Sequence, residues 1–240
     1  MGLTDFRALT FDCYGTLIDW ETGMLAGLER LAARSPRTRP RAEILEAYAA
    51  HESHQERYSP TLKYSTLLAV IYKRMAENWE TQVTWEECVG FGRSLRDWPA
   101  FPDSVAALKY LKSHYRLYVL SNVDNEGFSH TSRKLEVQFD GVMTAEDIGS
   151  YKPDPMNFQY MLERLADQGL RKDQILHVAQ SLFHDHAPAN DIGVASCWID
   201  RQRTRHGFGA TQRPATMPRY NFHFRSMAEF VEAHRNELSG

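Results

Sequence analysis

The chain has 240 residues, and its 28 Lys and Arg against 31 Asp and Glu leave a formal charge of −3. Hydrophobic residues at 42% and aromatic residues at 12% place it among folded globular proteins rather than disordered chains. The near-neutral balance excludes nucleic-acid binding through a broad basic field, and no apolar run reaches the ~18–20 residues that span a bilayer.

In chain order, Arg7 to Phe11 is a short β-prone run that ends at Asp12 and turns through Cys13-Tyr14-Gly15-Thr16. From Glu21 to Trp98 the character becomes helical. Met24, Leu25, Leu28 and Leu31 form one stripe, Ile44, Leu45 and Tyr48 a second, and Leu67, Leu68, Ile71, Tyr72 and Met75 a third. Pro36, Pro40 and Pro60 separate them. Beyond Pro99 strands and helices alternate. Helices are expected over 104–112, 128–135, 157–168, 187–192 and 227–235, and strands over 115–121, 141–143, 175–179, 195–199 and 221–224. This order predicts an α/β fold: a Rossmann-like, doubly wound parallel sheet with helices on both faces. The helical stretch, residues 18–98, is expected to form a cap domain inserted into a core of residues 1–17 and 99–240. The polar, basic segment 201–219 reads as a surface loop.

Cys13, Cys88 and Cys197 are scattered and contain no CxxC pair, so neither a disulfide framework nor a structural zinc site is expected. The start, MGLTDFRALTF, lacks the basic and apolar regions of a secretory signal. Phe6 stands where myristoylation wants Ser or Thr. A cytoplasmic protein is the expectation. Gly90-Phe91-Gly92 and Gly207-Phe208-Gly209 lack the remaining glycine of a dinucleotide fingerprint, and His51-Glu52-Ser53-His54 lacks metalloprotease spacing. His184 and His186 flank Asp185 and point to different faces, which argues against a metal there.

In open α/β sheets ligands bind beyond the carboxyl ends of the strands. Four polar groups fall there: Asp12 with Thr16, Ser121 with Asn122, Lys152, and Ser181 with Asp185. Phe11-Asp12-Cys13-Tyr14-Gly15-Thr16-Leu17, Ser121-Asn122, Tyr151-Lys152-Pro153-Asp154-Pro155 and the segment from Ala179 to Asp185 resemble, in order and spacing, the four motifs of the haloacid dehalogenase superfamily. The superfamily's phosphatases have a D-x-D first motif and an acidic fourth motif that hold Mg²⁺. Here Tyr14 replaces the second Asp, and Gln180 stands where a metal carboxylate is usual. The sequence instead resembles the branch of metal-independent 2-haloacid dehalogenases, whose first motif is D-x-Y-G-T, so no metal and no cofactor are expected.

That resemblance implies a two-step hydrolysis. Asp12 displaces halide from C2 of a small 2-haloacid, leaving an aspartyl ester that water then hydrolyses. Lys152 would keep Asp12 ionised, and Asp185 with Lys152 would position the water. Thr16, Ser121 and Asn122 would orient Asp12 and bind the substrate carboxylate. Tyr14, Trp20 and Tyr64 would wall the pocket, with Ser181 and Gln180 beside it. The branch commonly holds halide with a cap arginine, and Arg57 is the candidate. Two positions depart from the branch pattern: Phe158 replaces a Tyr and Leu182 an Asn. Gln180 or His184 are the expected substitutes for the missing hydrogen bonds. A homodimer is a family-level expectation. The competing readings are a Mg²⁺-dependent phosphatase with an atypical site and a non-catalytic binding protein on the same scaffold.

Overall fold

The computed structural model describes residues 1–201 and 210–240. Among the described residues, six strands form one sheet in the order β3-β2-β1-β4-β5-β6: β1 Ala8–Phe11, β2 Arg116–Ser121, β3 Gly141–Thr144, β4 Ile175–Ala179, β5 Ala195–Ile199 and β6 Phe222–Phe224. Every pairing is parallel. All residues of β1 and β4 are buried, because helices cover both faces of a parallel sheet and its central strands take mostly apolar side chains, the polar Thr10 and His177 bonding each other at 2.8 Å. Each fully buried Leu or Phe in this layer contributes about 1.5–3 kcal/mol.

The register places a site. Phe11 lies level with Val119 of β2 and with Val178 of β4, so these three neighbouring strands end together. The chain runs from β1 outward to β3, then returns to β4 and continues to β6 on the other side. The crevice between β1 and β4 is therefore the topological switch point. Asp12 follows β1, Ser121 closes β2, and Gln180 and Ser181 follow β4.

Four helices lie between β1 and the rest of the sheet: α1 Trp20–Ala32, α2 Arg41–Tyr58, α3 Tyr64–Asn78 and α4 Trp85–Arg93. The three apolar stripes read from the sequence are the buried faces of α1, α2 and α3. The fourth helix carried its own signal: Thr84 and Glu87 form a capping box at its start. Gly92 of α4 packs against α3 so closely that a Cβ there would sit 2.1 Å from the Ser65 carbonyl oxygen.

The other helices are α5 Ser104–Lys112, α6 Asn125–Leu135, α7 Ala145–Ile148, α8 Pro155–Ala166, α9 Ala187–Asp191 and α10 Met227–Ser239. α6 begins three residues before the expected start, because the Asp124 side chain accepts a hydrogen bond from Gly127 N and caps it there. α7 and a wide π-type turn over Leu182–His186 are too short to leave a periodic signal.

One expectation is corrected. The segment 201–219 is not wholly a surface loop: Ala210 and Thr211 are buried, and Ala210 N donates to Glu21 Oε1 on α1 at 3.0 Å. Gly207-Phe208-Gly209 lies outside the described residues. Among the described residues, no helix is long and apolar enough to cross a membrane.

Candidate active site

Asp12 is buried directly after β1. The turn that follows needs Gly15, whose φ of +96° lies in the left-handed region, and a Cβ there would come within 3.0 Å of Trp20 Nε1. The turn carries Thr16 back over Asp12, and Thr16 Oγ1 donates to Asp12 Oδ2 at 2.6 Å. Thr16 Oγ1 in turn accepts from Gln180 N at 2.9 Å. Gln180 therefore reaches the site through its backbone, and its side chain is not part of the cavity wall.

A residue that the sequence reading missed holds this turn from behind. Arg201 donates to the Thr16 carbonyl oxygen at 3.1 and 2.9 Å and to both oxygens of Asp103 at 2.8 and 2.9 Å. Its guanidinium also stacks over Phe101 at 4.1 Å. Arg201→Lys loses the planar fork and the stack. It is expected to lower kcat about tenfold or more with little change in KM, because Thr16 sets the angle of Asp12. Steady-state kinetics beside a thermal melt checks this, since a parallel loss of folding would assign Arg201 to stability alone.

Lys152 is completely buried. Asn122 clasps its backbone, accepting from Lys152 N at 2.7 Å and donating from Nδ2 to Lys152 O at 2.9 Å. The second Nδ2 hydrogen bond goes to Glu56 Oε1 at 3.0 Å. Asn122 is thus committed to placing Lys152 rather than free for substrate. Lys152 Nζ donates to Asp12 Oδ1 at 3.0 Å, to Asp185 Oδ1 at 2.7 Å and to the Leu120 carbonyl oxygen at 2.9 Å. All three ammonium protons are spent on the protein. Lys152 therefore acts on a ligand through its charge.

Burial would lower the Lys152 pKa, but the charges of Asp12 and Asp185 outweigh it and hold the ammonium firmly protonated. Burial raises Asp12, opposed by Lys152, reinforced by the charge of Asp185 and eased by the Thr16 hydrogen bond. The net direction is upward. For Asp185 burial is overcome by Lys152 and by His177, which hold it well below the usual carboxylate range.

His177 is a second residue missed from sequence. It stands on β4 with Nε2 2.9 Å from Asp185 Oδ1 and Nδ1 2.8 Å from Thr10 Oγ1. Phe158 packs edge-on against its ring, centroids 5.0 Å apart. It is His177, rather than Gln180 or His184, that bonds the Asp185 carboxylate. Asp185 Oδ2 is buried without a partner.

A small cavity of about 40 Å³ opens above these groups. Asp12, Ser121, Lys152, Ser181, Asp185 and Tyr14 form its floor and near wall. Ser121 Oγ is buried and unpartnered. Ser181 Oγ is engaged, since it accepts from His184 N at 2.9 Å and caps the wide turn. Tyr14 turns its hydroxyl to Thr131 Oγ1 at 2.7 Å and its ring edge-on to Trp98, so it offers the cavity an aromatic face. Trp20 and Tyr64 line the cavity as expected. Burial lowers His184, also in the wall, to about 4, which leaves it neutral. His186 points away to Ser196 Oγ and the Ala179 carbonyl, on a different face as read.

The insertion side differs from expectation. Arg57 is exposed, donates to Ser53 O within its own helix at 3.1 Å, and borders a different cavity. One residue along the helix turns a side chain by about 100°, so α2 presents Glu52 and Glu56 to the site instead. Glu52 Oε1 accepts from Tyr48 OH at 2.9 Å and from Tyr64 OH at 2.6 Å. Burial raises Glu52 to about 7 despite these bonds, and burial with the charge of Glu52 raises Glu56 well above its ordinary value.

A carboxyl raised on folding stabilises the fold in its protonated form. Its contribution is full below the ordinary value near 4.5 and is lost as pH rises through about 7. The loss for Glu52 is on the order of 3 kcal/mol. Glu52→Gln is therefore expected to flatten the fall in Tm across that window. Melts of both proteins over the pH range check it, and equal slopes would contradict it.

Divalent-metal binding finds a poor donor set here. Tyr14 occupies the position of a second carboxylate, Asp185 Oδ1 already serves Lys152 and His177, and among the described residues no group of three or more His, Cys, Asp or Glu could hold a metal ion.

The haloacid dehalogenase-like hydrolase model matches residues 6–181. The chain is 26% identical to (S)-2-haloacid dehalogenase 4A of Burkholderia cepacia over 216 residues, 82% of this chain and 84% of that protein. It is 26% identical to (S)-2-haloacid dehalogenase 1 of Pseudomonas sp. (strain CBS-3) over 212 residues, 81% and 85% of the two chains. The L-2-haloacid dehalogenase of Xanthobacter autotrophicus with chloropropionic acid covalently bound superposes with a TM-score of 0.76 at 15% identity, covering 96% of this chain and 98% of that one. The family match across most of the chain, the fold and the strand-end motifs agree: this chain belongs to the haloacid dehalogenase-like hydrolases.

Proposed function

We propose that this hydrolase converts small 2-haloalkanoic acids to 2-hydroxy acids through an aspartyl ester on Asp12. The observation that carries the reading is the buried Asp12 carboxylate, held between Lys152 and Thr16 beneath a cavity whose charged floor contains one cation among the described residues. A phosphate monoester brings nearly two negative charges and a leaving alkoxide that needs a proton. A 2-haloacid brings one negative charge, and its halide leaves with the bonding electron pair. The curated relatives named above are 2-haloacid dehalogenases.

In the first step a carboxylate oxygen of Asp12 attacks C2 from the side opposite the carbon–halogen bond. That bond breaks as the ester bond forms. Lys152 keeps Asp12 anionic and Thr16 fixes its plane. Ser121 Oγ, free of protein partners, is placed to donate to the substrate carboxylate. In the second step water adds to Asp12 Cγ and the acyl–oxygen bond breaks; one proton of that water passes to the leaving oxygen and the other to solvent, so that the 2-hydroxy acid departs and Asp12 is restored as a carboxylate. Asp185 Oδ2 accepts a hydrogen bond from that water and orients it. Residues 18–98 act as a cap over the core formed by residues 1–17 and 99–240, closing the pocket with the rings of Trp20 and Tyr64 beside Glu52 and Glu56.

A panel of chloroacetate, bromoacetate and 2-chloropropionate, with and without EDTA, tests the reading. Halide release unaffected by chelator is expected. Mg²⁺-dependent hydrolysis of p-nitrophenyl phosphate without halide release would overturn it in favour of a phosphatase. No product and no covalent Asp12 adduct by mass spectrometry would favour a binding protein.

A further inference from the structure

The insertion wall of the site carries two carboxyls where a halide-binding cation was expected. Asp12, Asp185 and Lys152 already sum to one negative charge in a buried space. A substrate carboxylate entering there meets two further charges if Glu52 and Glu56 are both ionised. Binding therefore favours a form in which the pair keeps at least one proton.

The hydrogen bonds decide which residue keeps it. Glu52 Oε1 receives two tyrosine hydroxyls, which support an anion. Glu56 Oε1 receives one amide N–H from Asn122. The charge of Glu52, one turn away, disfavours a second anion beside it. Glu56 Oε2 lies 3.7 Å from His184 Nε2, beyond a hydrogen bond, and that imidazole nitrogen is buried without a partner. The groups facing Glu56 are Tyr48 and Glu52 of α2, Tyr151 and Lys152 ahead of α8, Asn122 after β2 and His184 of the wide turn. Lys152 is the cation among them, and its protons are spent elsewhere.

We infer that the neutral Glu56 carboxyl is the hydrogen-bond donor to the departing halide and that the site accepts 2-fluoro acids. This rests on the dehalogenase reading of Asp12. As the Asp12 oxygen–C2 bond forms and the carbon–fluorine bond breaks, the electron pair leaves on fluoride and the hydrogen bond from the Glu56 O–H to it shortens. The proton stays on Glu56, and fluoride departs to solvent. A neutral donor discriminates among halides in a way a diffuse cation does not: fluoride accepts hydrogen bonds most strongly and needs the help most, while bromide leaves readily without it. A donor aimed at developing charge in such a site is worth roughly a hundredfold in rate.

The experiment measures release of fluoride from fluoroacetate and of bromide from bromoacetate across neutral to alkaline pH. The proteins are wild type, Glu56→Gln and Glu56→Ala. Wild type is expected to release fluoride, with an alkaline limb that is steeper for fluoride than for bromide. Glu56→Gln keeps an N–H donor and cannot titrate, so its alkaline limb should flatten. Glu56→Ala should lose fluoride release roughly a hundredfold and bromide release far less. If Glu56→Ala fails to fold, the wild-type and Gln profiles decide alone. Bromide release without fluoride release, or identical alkaline limbs in wild type and Glu56→Gln, overturns the inference and leaves the dehalogenase reading intact. No halide from any substrate overturns both.

Discussion

Asp12→Asn is expected to abolish turnover while leaving the protein folded, with a loss on the order of 10⁴–10⁶-fold. The neutral amide is a poor nucleophile toward C2. It also removes one of the two carboxylates that share Lys152. Because burial and Asp185 both push Asp12 upward, its charge is a burden on the fold. The variant should therefore melt no lower than wild type at neutral pH. Loss of halide release with a maintained or raised Tm separates a chemical role from a structural one. Undiminished turnover would remove Asp12 from the mechanism.

Lys152→Met has the second large effect and a different signature. The side chains are similar in length, so packing changes little, but Asp12 and Asp185 are left facing each other without a cation. Breaking a buried pair by removing one partner costs about 3–5 kcal/mol. Here one ammonium serves two carboxylates and a carbonyl. Activity should vanish and Tm should drop at neutral pH. The sign of the pH dependence follows from the carboxylates. Asp185 is held low in the wild type by Lys152 and His177, which stabilises the fold above its unfolded pKa and is lost on acidification. Without Lys152 the repulsion between two carboxylates is relieved by protonation. The stability gap between variant and wild type should therefore narrow as pH falls. Adding Asp185→Asn to Lys152→Met should recover part of the lost Tm. A gap independent of pH, or no recovery in the double variant, would mean that Lys152 stabilises through packing instead.

The polar floor of the site was legible because its residues sit at strand ends or in the connections that follow them. Asp12, Ser121 and Lys152 follow recognisable hydrophobic runs or turns, and parallel strands in register bring such ends together. The supporting groups were hidden for identifiable reasons. His177 lies inside the apolar run Ile175 to Ala179, where its polarity was the signal, but its partner Asp185 is eight residues on across a turn. Arg201 reaches Thr16 from a polar, basic segment whose composition resembles a solvated loop. Glu52 and Glu56 continue the stripe of Ile44, Leu45 and Tyr48 at helical spacing. Charged residues on a buried stripe were the available clue that α2 faces a polar site. The search for a cation selected the neighbouring Arg57, and the helix turns that residue outward. A one-residue error on a helix changes the face, which motif spacing alone does not fix.

The most direct measurement is a single turnover in ¹⁸O-water with enzyme in excess over a 2-haloacid, followed by mass analysis of the peptide containing Asp12 and of the hydroxy acid. The ester mechanism places the solvent oxygen in the Asp12 carboxylate and gives a first-turnover product whose hydroxyl oxygen is unlabelled. An unlabelled Asp12 with ¹⁸O in the product hydroxyl would mean that water attacks C2 directly, and would contradict the nucleophilic role of Asp12.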